Sequence, residues 1–175
     1  VGGRKIGQEL LSTFLNERGH NYSKEMSSPL TAITSCSRIS PYITFGNLSI
    51  REIYQKAKQK RNDLKNIPNT GKWRSSITSF LGRLRWHCHF IQKLEDQPSI
   101  EWENMSTSYD GIRENDFNDV YYDAWKSGNT GYPLIDACMR CLVSTGYINF
   151  RMRAMLVSFA SYDLWLDWRK TSKYL

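Results

Sequence analysis

The chain has no run of 18 apolar residues, so nothing in it predicts a membrane-spanning helix. Its first ten residues, VGGRKIGQEL, hold no apolar signal core, which argues against secretion and predicts a cytoplasmic location. They also lack an initiating Met, and the chain stops abruptly at RKTSKYL, so it is expected to be cut from something longer. Sustained alternation of apolar and polar residues is missing, which removes the main strand signal. There is no internal repeat and no low-complexity segment. Cysteine is sparse, with four residues, Cys36, Cys88, Cys138 and Cys141. Without a secretion signal these are expected as reduced thiols rather than disulfides. Acidic residues are in deficit: 17 Asp and Glu against 24 Lys and Arg leave a net charge of +7. Such a surplus favours a polyanionic partner, because neutralised phosphates release counterions, but alone it does not identify one.

What is present is apolar and aromatic. With 175 residues, 40% hydrophobic, six Trp and ten Tyr, the chain is long enough for one domain with a real core. Ile6, Leu10, Leu11, Phe14 and Leu15 recur at helical spacing between Arg4 and Arg18, with Gly19 as a stop. Residues 20–47 are polar and broken by Ser, Pro and Gly, predicting a long loop or short turns. Ser49-Ile-Arg-Glu52 is a capping box opening a helix with Ile50, Ile53, Tyr54 and Ala57 on one face. From Trp73 to Glu95, Ile77, Phe80, Leu81, Leu84, Cys88 and Ile91 form a further stripe. Residues 96–120 are irregular and polar. Pro133 suits a first helical turn, after which Leu134, Ala137, Cys138, Cys141 and Leu142 make a stripe ended by Gly146. Met152, Met155, Leu156, Phe159 and Ala160 mark the last helix. The expected fold class is all-α.

Several short motifs carry chemistry, each with a plainer structural explanation. Cys138 and Cys141, with His87, Cys88 and His89, could ligate zinc or an iron–sulfur cluster. The three cysteines lie on apolar stripes, however, and small buried side chains explain them, so no metal is expected. The loop SCSRIS, residues 35–40, could hold a phosphate on its hydroxyls and amides with Arg38 as charge partner, or be a serine-rich turn. In GRLRWHCHF, residues 82–90, Arg83, Trp86, His87 and Phe90 share a basic, aromatic face. That face suits stacking on bases or a flavin, or else snorkelling arginines round a core Trp. Arg151 and Arg153 open a helix where the macrodipole disfavours cations, so an anion or carboxylate should offset them.

Two long motifs then resemble one family. GNTGYPLIDACMRCLVSTGYINFRMRAMLVSFASYDLWLDWRKTSKYL looks like the signature region of photolyases and cryptochromes, and CSRISPYITFGNLSIREIY resembles that family's serine-arginine motif. The resemblance covers the chain essentially end to end. It implies the helical FAD-binding domain, without the antenna domain and without the final helices that carry the family's flavin-contacting Asp residues and proximal Trp. By this resemblance Tyr22, Ser37, Arg38, Ile39, Ser40, Phe80, Arg83, His87 and Arg153 contact FAD. Trp168 matches the middle tryptophan of the electron-transfer chain. Arg83, Trp86, His87, Phe90, Phe150 and Arg151 face damaged DNA.

The chain also departs from the family's pattern. Cys36 replaces a common Thr. Arg83 stands where dimer photolyases carry a catalytic Glu, His87 replaces an Arg, and Phe150 replaces an Asn. Asn149 lies near where (6-4) photolyases carry a His, and no Trp stands near Asn115, though Tyr121 and Tyr122 are close. The function implied is light-driven repair of pyrimidine dimers by reduced FAD, with a FAD-binding blue-light sensor as the alternative. A helical DNA-binding module without flavin is the third reading. The walls at Trp86 and Trp168 are expected to favour a dimer of the chain.

Overall fold

Ten α-helices joined by 3₁₀ turns make up the regular structure of the computed structural model, which describes residues 2–175. There is no strand among the described residues, as the absent alternation implies. The chain forms two compact units, one ending at Lys93 and one spanning Leu94–Leu175.

In the first unit α1 (Arg4–Asn16) buries Leu11, Phe14 and Leu15. Three short helices follow: α2 (Tyr22–Glu25), α3 (Ala32–Ser35) and α4 (Ser40–Thr44). They occupy the stretch whose polar sequence predicts turns. Helix α5 (Ile50–Asp63) starts where the Ser49 hydroxyl accepts the Glu52 N–H, as the capping box requires. Glu52 itself turns away, to Arg4 and Lys56. The long α6 (Gly71–Asp96) supplies Ile77, Phe80, Leu81 and Leu84 to a core shared with Leu11, Phe14, Ile53 and Ala57. At its centre Phe14 meets Tyr22 edge-on at 5.4 Å and Phe80 at 4.7 Å. Such pairs add about 0.5–1.5 kcal/mol each beyond the area they bury.

Helix α1 stops at Asn16 rather than running to Gly19, which lies buried in a 3₁₀ turn. Glycine is needed there for space: a Cβ would come within 2.5 Å of the Phe14 carbonyl oxygen. Along α6, burial ends at Leu84, and Cys88 and Ile91 are exposed despite their place on the apolar stripe. Opposite them α5 presents Arg51 and Tyr54 beside Ile50, leaving an open groove.

The second unit contains α7 (Asp119–Ser127), α8 (Pro133–Thr145), α9 (Phe150–Ser158) and α10 (Trp168–Thr171). Its core is built round Trp125, whose indole N–H donates to the Leu156 carbonyl at 3.2 Å. Helix α8 begins with Pro133 in its first turn and ends at Gly146 in the left-handed conformation. Its inward face is turned about one residue from the expected stripe. Ile135, Asp136, Cys138 and Met139 are buried, whereas Leu134 and Cys141 are exposed. The cause is Asp136, which the preceding turn draws inside. Beyond Ser158 the chain widens into one π-helical turn, Phe159–Asp163. No helix of the described residues is long and apolar enough to cross a membrane.

Candidate functional site

In the first unit the serine-arginine loop is shaped by Arg18, a residue the motifs do not single out. Its Nη1 donates to the carbonyls of Thr34 (2.9 Å) and Cys36 (2.7 Å). Its Nη2 donates to Leu10 (3.1 Å) and Ser37 (3.4 Å), and its Nε to Thr13 Oγ1 (3.1 Å). One guanidinium therefore ties the end of α1 to the loop before α4. Its only sequence signal is a cation just past a helix end, next to a glycine. Arg38 adopts φ 58, the left-handed region that a non-glycine residue seldom occupies. Arg38 and Ser40 are exposed, Ser37 is half-buried, and Ile39 is buried in the core.

Tyr22 is buried against Phe14 and Phe80, and Arg83, one turn after Phe80 on α6, hydrogen-bonds its hydroxyl. Burial pushes the phenol up to about 12, Cys36 adds to this, and the Arg83 charge and hydrogen bond pull the other way. The fold thus gathers Tyr22, Cys36, Phe80 and Arg83 next to the loop. Two kinds of group result. Ser37, Arg38 and Ser40 offer hydroxyls and a cation, a donor set suited to the phosphates of a dinucleotide. Ile39, Phe80 and the Tyr22 ring are packed into the core and form the wall behind them.

Further along α6, Trp86 and Phe90 are 55% and 54% exposed, with ring centres 5.8 Å apart. His89 touches both, at 6.0 Å and 5.7 Å, and His87 is exposed. This open aromatic cluster is not part of the core.

In the second unit the Gly-Tyr-Pro turn is organised by Asp136. Its carboxylate accepts the Thr130 N–H (2.8 Å), the Thr130 hydroxyl (2.6 Å) and the Gly131 N–H (3.0 Å). Burial works against the charge, but these bonds and Arg140 outweigh it and hold the carboxyl below its usual range. Gly128 and Gly131 have φ 68 and 85, as the tight turn demands. Asn149, buried, caps α9 by accepting the Met152 N–H at 2.9 Å. Phe150 and Arg151 are exposed, while half-buried Arg153 donates to the Leu175 carbonyl.

Trp168 is half-buried. Its Nε1–H donates to Asn104 Oδ1 at 2.8 Å, and the Arg169 guanidinium lies 5.3 Å from its ring centre. Arg169 bridges Asp167 (3.1 Å) and Glu114 (3.2 Å) and donates to the Trp102 carbonyl at 2.7 Å. The polar stretch 96–120 is therefore pinned by Trp168 and Arg169. Sequence spacing gives no hint of either bond. Among the described residues no three His, Cys, Asp or Glu side chains converge on a metal position.

The description "FAD binding domain of DNA photolyase" fits residues 80–175. The chain is 32% identical over 167 residues to the deoxyribodipyrimidine photo-lyase of Halobacterium salinarum, covering 95% of this chain and 34% of that relative. It is 32% identical over 178 residues to Cryptochrome-1 of Arabidopsis thaliana, covering 98% of this chain and 25% of that relative. A bacterial class III photolyase from Agrobacterium tumefaciens superposes with a TM-score of 0.83 at 26% identity, over 98% of this chain and 33% of that one. A cryptochrome from Synechocystis gives 0.81 at 27%, over 99% of this chain and 34% of that one. The chain thus spans about a quarter to a third of the length of the photolyases it matches. With the turn, the loop and the helical order all in place, the chain belongs to the family of FAD-binding domains of DNA photolyase.

Proposed function

We propose that the protein carrying this chain is a light-driven DNA photolyase, which splits pyrimidine dimers with an electron from reduced FAD. The observation that carries this reading is the grouping of Tyr22, Arg83 and the Arg18-clamped loop, within a chain of this family. Photoexcited reduced FAD, when bound, supplies the electron. The chain's own residues supply position. Ser37, Arg38 and Ser40 hold the phosphate side, Ile39 and Phe80 close the wall behind, and burial keeps the proton on Tyr22 beside the Arg83 guanidinium. Arg153 serves the flavin ring. Trp86, His87, Phe90, Phe150 and Arg151 meet the DNA, with the exposed rings as stacking surfaces for an extruded base.

Trp168 relays charge. Asn104 fixes its indole proton at Nε1, and the Arg169 cation beside the ring makes removal of an electron from it costlier. The intact protein is read as cytoplasmic, in keeping with four free thiols. Self-association is assigned to exposed Trp86 rather than to half-buried Trp168.

One observation favours a second reading, a cryptochrome-like light sensor. Arg83, where the resemblance expects the catalytic Glu of dimer repair, is engaged with Tyr22 and offers no carboxyl proton. Blue-light-dependent loss of cyclobutane dimers from an oligonucleotide, measured on the full-length flavoprotein, separates the two. Loss of dimers establishes repair. A yellow protein that leaves dimers intact favours the sensor, and a colourless one removes both.

A further inference from the structure

Between α5 and α6 in the first unit lies a groove of about 420 Å³ lined by Arg51, Tyr54, Leu84, Arg85, His89 and Gln92 among others. No carboxylate lines it. Arg85 Nη2 donates to the Tyr54 hydroxyl at 3.3 Å, so the two helices are bridged across its floor. Arg51, Tyr54, Lys58 and Arg61 follow one face of α5, at spacings of three, four and three residues. Arg51 and Lys58 are thus separated by about 10 Å along the axis. The basic charge is uncompensated. Glu52 is taken up by Arg4 and Lys56, and among the described residues none of Arg51, Lys58, Arg61 and Arg85 has an acidic partner within ion-pair distance. The accumulated cations also lower the Tyr54 phenol below its ordinary value, chiefly through the Arg85 hydrogen bond and charge, then Lys58 and Arg61.

We propose that this α5–α6 groove binds the phosphodiester backbone of single-stranded nucleic acid, whether or not it is damaged. Arg51 and Arg85 in a groove without carboxylates, continued along the same face of α5 by Lys58 and Arg61, suit a linear polyanion. The choice of nucleic acid over an acidic polypeptide rests on His89. It lines the groove and also touches the exposed Trp86 and Phe90, so phosphate contacts and a base-stacking platform adjoin on one helix. That pairing of a cationic channel with open aromatic faces is what sequence-independent strand binders use. The proposal draws on the DNA-contact reading of Trp86 only for this choice and needs no flavin.

The test is fluorescence anisotropy of a labelled, undamaged single strand of about 20 nucleotides binding the full-length protein over a range of salt. Removing two phosphate contacts in Arg51→Gln/Arg85→Gln should weaken binding roughly 10-fold or more at low salt. It should also flatten the log–log salt slope by about 1.4, at ~0.7 per contact. Lys58→Gln/Arg61→Gln, which leaves the Tyr54–Arg85 hydrogen bond in place, should act in the same direction, and a labelled oligoglutamate of matched charge should bind at least about 10-fold more weakly. An unchanged affinity and slope in both variants would overturn the proposal. So would oligoglutamate binding as tightly as the strand with the same sensitivity to both variants. Flavin absorbance of the same samples keeps the two readings apart. Its absence from the wild type counts against the photolyase, while the anisotropy still decides the groove.

Discussion

The two units hold their functional segments in place by different means. Up to Lys93, the buried side chains are almost all apolar, with Ser35 and Ser76 as the polar exceptions, and the loop is fixed from outside by Arg18. From Leu94 on, Asp136, Asn149, Ser161, Asp167 and Thr171 are buried, and three of these side chains cap a turn or helix start. The first unit is stabilised by burial, which is non-directional, and its loop takes its shape from one cation. The second is specified by directional bonds written into adjacent positions. A motif can therefore announce the second kind of structure, while the first kind announces only its helices.

The largest break in this comparison should come from Phe14→Ala, which empties the aromatic centre of the first unit. A loss of about 3–5 kcal/mol is expected, a large part of a domain's stability. Hydrogen exchange should show lost protection throughout α1, α5 and α6, with much smaller changes in α8 and α9.

Asp136→Ala removes the acceptor of three bonds and should cost about 2–3 kcal/mol, read from denaturant midpoints. Because its folded pKa is depressed, the charge stabilises above the ordinary carboxylate value of 3.8, and this is lost as pH falls below that. The variant should lack that part of the acid-induced loss.

Gly19→Ala tests close approach, since its Cβ would meet the Phe14 carbonyl at 2.5 Å. A cost of about 1–3 kcal/mol is expected, with the Arg18 clamp displaced. A neutral result would show that the turn gives way easily.

The smallest effect should come from Tyr22→Phe, about 1 kcal/mol at neutral pH from the lost Arg83 hydrogen bond. Its folded pKa is raised from 10.0 to about 12, so the protonated phenol contributes stability below pH 10 that is lost between 10 and 12. The wild type should weaken over that window in thermal melts, and the variant should show a flatter profile.

Much of the helical order was legible because its signals are local. The Ser49 cap, Pro133, Gly146 and the spacing of Met152, Leu156 and Phe159 act over one to three turns, and each lies where its pattern indicates. The buried face of α8 lies about a residue from its apolar stripe because apolar spacing cannot foresee a buried carboxylate. Asp136 turns inward only since Thr130 and Gly131 satisfy it. The stretch 20–47 hid three short helices, whose stability comes from packing rather than from their own few residues.

The sequence by itself determined an all-helical chain, a basic surplus, the capped start of α5 and membership of a family. These follow from periodicity, composition and residues close together along the chain. Only the tertiary structure decided that Arg18 shapes the serine-arginine loop, that Arg83 belongs to Tyr22, and that Trp168 is held by Asn104. Those pairs are 16 to 64 residues apart, and what joins them is the burial of helices on one another, which no local pattern encodes.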